Sequence, residues 1–384
     1  MPQTPSTQYD YIIAGAGAAG LSLVAKMINS GKFSHKRILL VDKGPKTTND
    51  RTWCFWERED NFFESIVFKS WSLLWFHAAG FSKQFDIAPY RYKMIRGIDF
   101  YNYCFELINP QQNIKIKYGV VHDLCSNDNE TSLHVDNEKF TADYIFNSIV
   151  FEKPAVKQTE FYLLQHFKGW IIQTNKPFFA EQEATLMDFR VSQLQGTAFV
   201  YVMPFSPDRA LVEYTMFSPQ LLEQPEYDRN LHDYISNWLG CSAYTVSSEE
   251  FGVIPMTNFP FQKTDHHIIN IGTAGGQTKA SSGYTFQFIQ KKTAEIVAAL
   301  ARGDDPAKLQ TTSPKYNFYD SVLLNVLATG KMPGDKIFTH LFRKNPAGNI
   351  FRFLDNETSF MEDLKLMTTL PTMPFLKAGL KEIF

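Results

Sequence analysis

The sequence lacks the features that mark several large classes of protein. No uncharged apolar stretch in its 384 residues approaches the roughly 20 residues that span a bilayer. The N-terminal segment has no apolar core of the kind found in secretory signals. The formal net charge is −2, so a basic surface for binding nucleic acid is not expected. We therefore expect a cytoplasmic protein with no nucleic-acid partner.

Cysteine is scarce and scattered. The four cysteines are Cys54, Cys104, Cys125 and Cys241. No two of them have CxxC spacing, which favours reduced thiols over a disulfide framework. The adjacent pair His266 and His267 has no further Cys, Glu or His nearby, so we expect no metal site.

The N-terminal segment carries a dinucleotide-binding pattern. A short apolar run from Tyr9 to Ala14 predicts a buried parallel strand, and helical apolar spacing continues from Leu21 to Ile28. Between them lies the G-x-G-x-x-G sequence Gly15-Ala16-Gly17-Ala18-Ala19-Gly20. The first glycine permits a tight turn, the second lets the backbone approach a pyrophosphate, and the third lets helix and strand pack closely. The helix N-terminus adds free N–H donors for the phosphates.

A second strand supplies the acidic residue that completes the pattern. The run Arg37–Val41 predicts a buried strand that leads into Asp42, about 20 residues past the last glycine, where a ribose hydroxyl would be held. We include the adjacent Lys43 among the predicted cofactor-binding residues. Strand, turn, helix, strand and acid together predict that the protein binds an adenine dinucleotide.

An aromatic segment follows, with the sequence Asp50-Arg51-Thr52-Trp53-Cys54-Phe55-Trp56-Glu57. Arg51 has two interpretations. Its guanidinium matches phosphate oxygens, which predicts a cofactor contact, or it forms a surface ion pair with Asp50.

The middle of the chain changes to an all-β pattern with one helix. Between about Phe151 and Pro260, short apolar runs are separated by Pro, Asp and Ser turn signals, which predicts an antiparallel sheet. The helix is expected over Glu226–Leu239. The acidic pair Glu249 and Glu250 is expected to be a solvated strand end.

A second strand, glycine turn and helix follow at residues 267–300. Gly272-Thr273-Ala274-Gly275-Gly276 forms the turn. These patterns predict an α/β protein with a discontinuous Rossmann-type domain (1–60, 97–150 and 260–303), an antiparallel β-sheet substrate domain (61–96 and 151–259) and a helical C-terminal region (304–384).

Several motifs beyond the glycine fingerprint resemble the bacterial lycopene cyclase family of flavoproteins. They are residues 50–57, 165–170 (QHFKGW), 186–190 (LMDFR), 211–215 (LVEYT), 272–276 with 282–284, and 351–355 (FRFLD). The resemblance runs nearly end to end. It implies bound FAD, active in its reduced form and reduced by NADPH or NADH, and the cyclisation of lycopene and related linear carotenoids to β-ionone rings. The turn containing Gly272, Gly275 and Gly276 would lie against the flavin. Thr273 stands where related hydroxylases usually carry Asp, which weighs against an oxygenase.

The implied reaction needs an acid, a dry cavity, a group that stabilises a cation, and a base. Glu213 lies in an apolar strand-like run, where burial would raise its pKa and keep it protonated. We predict that it is catalytic, with Asp188 and Arg190 either shaping the pocket or forming an ordinary strand pair. Plant-type enzymes of this kind have two adjacent glutamates in the motif at 211–215, whereas Tyr214 follows Glu213 here. The candidate cation-stabilising rings are Trp53, Trp56, Tyr201 and Phe217.

Some questions stay open at the level of sequence. The 34 phenylalanines fit either a Phe-rich core or a large apolar tunnel. The amphipathic segments Lys336–Lys344 and Phe375–Phe384 either pack on the protein or dock on the inner face of the cell membrane. A flavin monooxygenase or reductase acting on an isoprenoid, and a non-catalytic carotenoid-binding flavoprotein, remain as alternatives. The oligomeric state is not predicted.

Overall fold

The fold is taken from a computed structural model that describes residues 7–309 and 313–383. The strands are β1 (Thr7–Ala14), β2 (Ile38–Asp42), β3 (Thr52–Glu57), β4 (Lys69–Trp71), β5 (Leu73–Ala78), β6 (Phe81–Asp86), β7 (Arg91–Arg96), β8 (Ile114–Tyr118), β9 (Val121–Ser126), β10 (Thr131–Val135), β11 (Glu138–Asn147), β12 (Tyr162–Thr174), β13 (Glu183–Asp188), β14 (Thr197–Ser206), β15 (Arg209–Ser218), β16 (Tyr244–Thr257), β17 (Thr264–Asp265) and β18 (Ile268–Asn270). The helices are α1 (Ala18–Asn29), α2 (Gly97–Ile108), α3 (Gln224–Asn237), α4 (Phe286–Arg302), α5 (Pro314–Ala328), α6 (Gly334–Lys344), α7 (Ala347–Leu354), α8 (Phe360–Met367) and α9 (Thr372–Ile383).

The first sheet is built around β1, which pairs in parallel with β2 on one side and β11 on the other. β8 extends the sheet beyond β2, and β18 extends it beyond β11, both in parallel. Because both faces of β1 are covered, Ile12, Ile13 and Ala14 are fully buried. Helices α1, α2 and α4 pack on one face through their apolar residues. The predicted α/β fold is confirmed, as is the return of the chain to the parallel sheet near residue 145.

The second sheet has the strand order β16-β12-β15-β14-β13-β5-β6. All neighbours are antiparallel except β13 and β5, so the sheet is mixed where an antiparallel one was expected. Side chains alternate along β15 as the pleat requires. Val212, Tyr214 and Met216 pack under α3, whereas Leu211 and Phe217 point to the opposite face, toward the rest of the protein.

A small third sheet of β3, β7 and β4 lies between the two larger sheets. The aromatic segment at 50–57 is therefore a strand, β3, paired along its whole length with β7. This pairing crosses the domain boundary that we expected at residue 60. The reason is that β3 carries Phe55 into the core of the first domain and Cys54 toward the second sheet, so it belongs to both.

The C-terminal helices cover the second sheet and each other. The apolar side of α6 is buried, since Phe342 stacks on Phe76 at 4.5 Å and Phe338 stacks on Phe189 at 5.6 Å between ring centroids. This corrects the idea that Lys336–Lys344 docks on a membrane. Among the described residues, no helix is both long enough and apolar enough to cross a bilayer.

Candidate active site

The three glycines of the N-terminal turn differ in what each would meet if it carried a side chain. Gly15 has φ +101°, a conformation that side chains disfavour. A Cβ on Gly20 would lie 2.0 Å from the carbonyl oxygen of Gly15, so only glycine allows α1 to pack so close to the turn. A Cβ on Gly17, in contrast, would meet no atom within 4 Å. The backbone at Gly17 therefore faces open space at the N-terminus of α1, which suits an incoming phosphate.

Asp42 lies at the carboxyl end of β2, next to this turn. Its Oδ2 accepts a hydrogen bond from the backbone N–H of Ala16 at 2.7 Å, and its Oδ1 lies 3.3 Å from the Nζ of Lys46. The position next to the turn is the one expected for a ribose-binding acid. Lys43 follows it and is exposed.

The second glycine turn lies against the first. A Cβ on Gly272 would come within 2.9 Å of the Cβ of Ala19, at the start of α1, and the φ of Gly272 is +63°. Gly275 and Gly276 continue the turn, and Gly275 has no room for a side chain because of the carbonyl oxygen of Asn270. The two predicted cofactor-binding turns therefore form one cradle, although they are far apart in sequence.

Arg51 is exposed at the start of β3. Its possible partner Asp50 accepts a hydrogen bond from the hydroxyl of Tyr101 at 2.8 Å instead. Among the described residues no ion pair joins Arg51 to Asp50, so its guanidinium is available for another anionic group. Its charge acts on Glu250, where it lowers the pKa of that carboxyl.

Glu213 stands in a row of side chains that crosses the second sheet. Its neighbour on β14 is Tyr201, its neighbour on β12 is Gly169, and Glu250 of β16 is the neighbour of Gly169 on the other side. Directly paired residues point to the same face of a sheet. Glu250, Gly169, Glu213 and Tyr201 therefore share the face that is turned toward β3, away from α3.

Hydrogen bonds from neighbouring threonines hold both carboxyls. The Oγ1 of Thr215 donates to the Oε1 of Glu213 at 3.1 Å, and the Oγ1 of Thr52 donates to the Oε2 of Glu250 at 2.6 Å. Burial and the nearby charge of Glu250 hold the pKa of Glu213 well above its ordinary value. Burial also raises the pKa of Glu250, although Thr52 and Arg51 oppose that rise.

The groups around the two glutamates stay neutral. Burial raises the pKa of Tyr92, Tyr201 and Cys54 well above their ordinary values, and it also raises that of Tyr284. Cys54, Tyr284 and Glu250 nevertheless keep partial exposure, so this face of the sheet is not sealed from solvent. The side chains around the two glutamates are therefore weakly polar, with the carboxyls as the acidic groups among them.

Three of the motifs that carry the family resemblance meet at Trp56. Its indole N–H donates to the Oδ2 of Asp355 at 2.7 Å, and its ring stacks on Phe351 with centroids 4.6 Å apart. Tyr284 contacts the same ring edge-on at 4.6 Å. Trp53, the other tryptophan of β3, packs instead on Phe286 in the first domain.

Asp188 and Arg190 lie on the other side of the sheet from Glu213. Arg190 binds Asp188 through its Nε at 2.9 Å and its Nη2 at 2.5 Å, and the hydroxyl of Tyr234, on α3, donates to the Oδ2 of Asp188 at 2.8 Å. Both oxygens of Asp188 therefore have hydrogen-bond donors under α3, and the pair does not share the face of Glu213. Of the two interpretations that the sequence allowed, the geometry fits the strand pair, and we leave both residues out of the proposed reaction.

Glu250 was missed at the level of sequence, where it was expected with Glu249 to be a solvated strand end. Glu249 is exposed and lies 3.1 Å from the Nζ of Lys168, but Glu250 points inward to Thr52. Strand alternation could have shown that only one of two adjacent glutamates faces solvent. Which of them faces Glu213 depends on the pairing of β16 with β12, which local sequence does not contain.

Comparison with known proteins gives a family match. The sequence model of the family described as "Lycopene cyclase protein" matches residues 10–380. A lycopene beta-cyclase of Paracoccus sp. is 27% identical over 227 residues, which are 55% of this chain and 57% of that protein. A chloroplastic neoxanthin synthase of Solanum lycopersicum is 26% identical over 310 residues, which are 74% of this chain and 58% of that protein. The chain thus spans less than two thirds of the length of these relatives.

Solved structures support the fold. A protein described as flavoprotein/dehydrogenase, from Cytophaga hutchinsonii, has a TM-score of 0.58 with 13% identity. The likeness covers 98% of this chain and 99% of that one. At this identity the likeness shows a Rossmann-type flavoprotein fold and nothing finer.

Proposed function

Because the chain belongs to the lycopene cyclase family, we propose that it closes the linear ψ-ends of lycopene into β-ionone rings, giving γ-carotene and then β-carotene. The observation that carries this proposal is the buried carboxyl of Glu213, whose pKa is raised and which lies among weakly polar side chains on the face of the second sheet turned toward β3. A neutral carboxyl in such a place is a proton donor at neutral pH.

The reaction begins with transfer of the Glu213 proton to a terminal alkene carbon. A C–H bond forms, the double bond is lost, and a tertiary carbocation results. The neighbouring double bond attacks this cation and closes the ring, and loss of a ring proton restores an alkene. The newly ionised Glu213 stabilises the cation, and the face of Tyr201 next to it in the row adds a π contribution. One proton enters and one leaves, so the carotenoid undergoes no net redox change.

FAD fits the cradle formed by the two glycine turns. Gly15, Gly17, Ala18, Ala19 and Gly20 would hold its pyrophosphate, Asp42 its ribose, and Gly272, Gly275 and Gly276 its flavin end, with Lys43 and Arg51 as further cationic contacts. The open space at Gly17 and the contact of Gly272 with Ala19 support this assignment. When bound and kept reduced by NADPH or NADH, FAD would supply a planar negative charge near the cation.

Product mass after anaerobic incubation with lycopene and chemically reduced FAD tests this function. We expect products of unchanged mass with one or two rings, formed without net consumption of reductant. In heavy water each ring should gain one deuterium from the initial protonation. Incorporation of one oxygen atom in air, seen as a gain of about 16 mass units, would instead identify a monooxygenase. Stoichiometric use of reductant without oxygen incorporation would identify a reductase. Binding of lycopene without any product would identify a carotenoid-binding flavoprotein.

We further propose that α9 docks on the inner face of the cell membrane, where an apolar carotenoid would dissolve. One side of this helix packs on α5, with Ala378 fully buried. The opposite side exposes Met373, Leu376 and Leu380, with Lys377 and Lys381 beside them. Exposed apolar residues flanked by lysines suit an anionic lipid surface.

Replacing Met373, Leu376 and Leu380 together by serine is expected to weaken binding to anionic liposomes by at least about tenfold, because the apolar area that enters the lipid is removed. Turnover on lipid-dissolved lycopene should fall with it, while the fold stays intact. Liposome co-sedimentation measures the effect, and Leu194→Ser, at an apolar residue that is 95% exposed elsewhere, is the matched control. Equal liposome binding by the triple variant and the control would exclude α9 as the docking element. Deleting residues 371–384 would be a poorer test, because it also removes the packing on α5.

A further inference from the structure

We propose that Glu250 is the second carboxyl of the site, and that it forms with Glu213 a pair that shares one proton, with Glu250 as the ionised member. The proposal deepens the proposed function and rests on it for the role of the pair toward the carbocation. The pairing itself is argued from the contacts and charges within this chain and does not depend on the reaction.

The two carboxyls meet across a glycine. Glu213 and Glu250 both pair with Gly169 of β12, one from each side, so their Cα atoms are about two strand spacings apart, roughly 9–10 Å. A residue with a side chain at 169 would fill the gap, since a Cβ there would lie 3.0 Å from the Cγ of Glu250 and 2.9 Å from the Cδ1 of Leu211. The side chain of Glu250 therefore leans over Gly169 toward Glu213.

The hydrogen bonds leave one place for a shared proton. The Oε2 of Glu250 accepts from Thr52, but its Oε1 is buried and has no hydrogen-bond donor among the described residues. A buried carboxylate oxygen without a donor is costly. Protonated Glu213 is the neighbouring group that can donate to this oxygen, and each carboxyl acts on the ionisation of the other.

The surroundings decide which carboxyl keeps the proton. From β3, the hydroxyl of Thr52 and the charge of Arg51 favour the ionised form of Glu250. The other titratable groups that face the pair are Cys54 on β3, Tyr92 on β7, Tyr201 on β14 and Tyr284 before α4, and all four stay neutral because their pKa values are raised. Glu213 has Thr215 as its only hydrogen-bond donor in the described part of the chain. The proton therefore belongs to Glu213 and the charge to Glu250.

This arrangement gives Glu250 two tasks in the proposed reaction. Before protonation its charge keeps Glu213 neutral at a pH where a lone glutamic acid would be ionised. After the proton has moved to the alkene carbon, two carboxylates face the carbocation. The proton lost from the ring then returns to one of them, and the pair ends with the single proton it had at the start.

The test compares Glu250→Gln with Glu249→Gln, the control on the adjacent exposed residue. Removing the charge at 250 should lower the pKa of Glu213, so the alkaline limb of the pH profile of kcat/KM should move down by on the order of 1–3 pH units. Glu250→Asp keeps the charge, so the alkaline limb of its pH profile should lie between those of Glu250→Gln and the wild type. The control should leave the profile of the wild type unchanged.

A readout without substrate separates this proposal from the proposed function. In infrared spectra recorded over a pH titration, the C=O band of a buried protonated carboxyl should be present at neutral pH, absent in Glu213→Gln, and lost at lower pH in Glu250→Gln than in wild type. Gly169→Ala, which separates the two side chains, should act in the same direction as Glu250→Gln and serves if that variant does not fold. A band that titrates identically in wild type, Glu250→Gln and Gly169→Ala would overturn the pairing. A shifted band in a protein that makes no cyclic product would uphold the pairing and contradict the cyclase.

Discussion

Glu213→Gln is expected to lower turnover on lycopene by on the order of 10²–10⁴-fold, with the fold and the FAD spectrum preserved. Glutamine has nearly the same shape and still accepts the hydrogen bond from Thr215, but it neither donates the required proton nor becomes negative when the cation forms. Anaerobic assays with reduced FAD and quantification of ring products by mass measure the loss. Glu213→Asp should fall between the two, because the acid survives but retreats by one methylene. Near-normal turnover of Glu213→Gln would assign the proton to another donor.

The same carboxyl predicts a pH dependence of activity. The reaction needs protonated Glu213, whose pKa is raised in the folded protein. Activity should therefore be present below this raised pKa and be lost as the pH rises through it. Stability follows the same direction, since a group with a raised folded pKa contributes stability below its unfolded pKa, about 4.3, that is lost as the pH passes the folded pKa. Glutamine stays neutral, so on raising the pH the variant should lose less thermal stability than the wild type.

Gly17→Ala and Gly20→Ala are expected to weaken FAD binding for two different reasons. At Gly20 the new methyl group meets the carbonyl oxygen of Gly15 at 2.0 Å, so α1 must shift and the apoprotein should lose about 1–3 kcal/mol of stability. At Gly17 the methyl group meets no protein atom, so the apoprotein should keep its stability while the approach of the pyrophosphate is blocked. In each variant we expect FAD affinity to fall by at least about tenfold, which corresponds to about 1.4 kcal/mol.

Flavin fluorescence titration and thermal unfolding of the apoproteins separate the two effects. Gly44→Ala is the control, since a Cβ there meets no atom within 4 Å and Gly44 lies two residues after Asp42, outside the turn. Unchanged FAD affinity in Gly17→Ala would mean that the phosphates lie elsewhere. A fully stable Gly20→Ala apoprotein would contradict the close packing of α1 on the turn.

The first domain could be predicted from sequence because its signals are local. The strand before Gly15, the helix after Gly20 and the acid at 42 are each set by neighbouring residues, and all lie where they were expected. The burial of Glu213 was also expected from its own apolar strand. The inward position of Glu250 was not, because its place beside Glu213 depends on β12 pairing with β15 on one side and with β16 on the other. The register between strands so distant in sequence cannot be inferred from the residues of either strand alone.

The departure at Tyr214 has a simple explanation in the pleat of β15. Adjacent residues of a strand point to opposite faces, and Tyr214 packs under α3 with Tyr227 while Glu213 lies on the face turned toward β3. A glutamate at 214 in this regular strand would therefore not lie beside Glu213. The nearest positions of β15 on the face of Glu213 are Leu211 and Thr215, so the second carboxyl comes from another strand, β16, through Glu250.

The contact between the two glycine turns also determines when the cradle can form during synthesis of the chain. β1 is made long before the turn that closes the cradle, since its partner β11 ends at Asn147 and the turn begins only at Gly272. A nascent chain that stops before β18, which begins at Ile268, has one half of the cradle and an unpaired edge on β11, where β18 would bind. Assembly of such distant strands is slow and leaves apolar edges exposed while translation continues. A cofactor held by both turns can therefore aid folding only after the turn at Gly272 has been made.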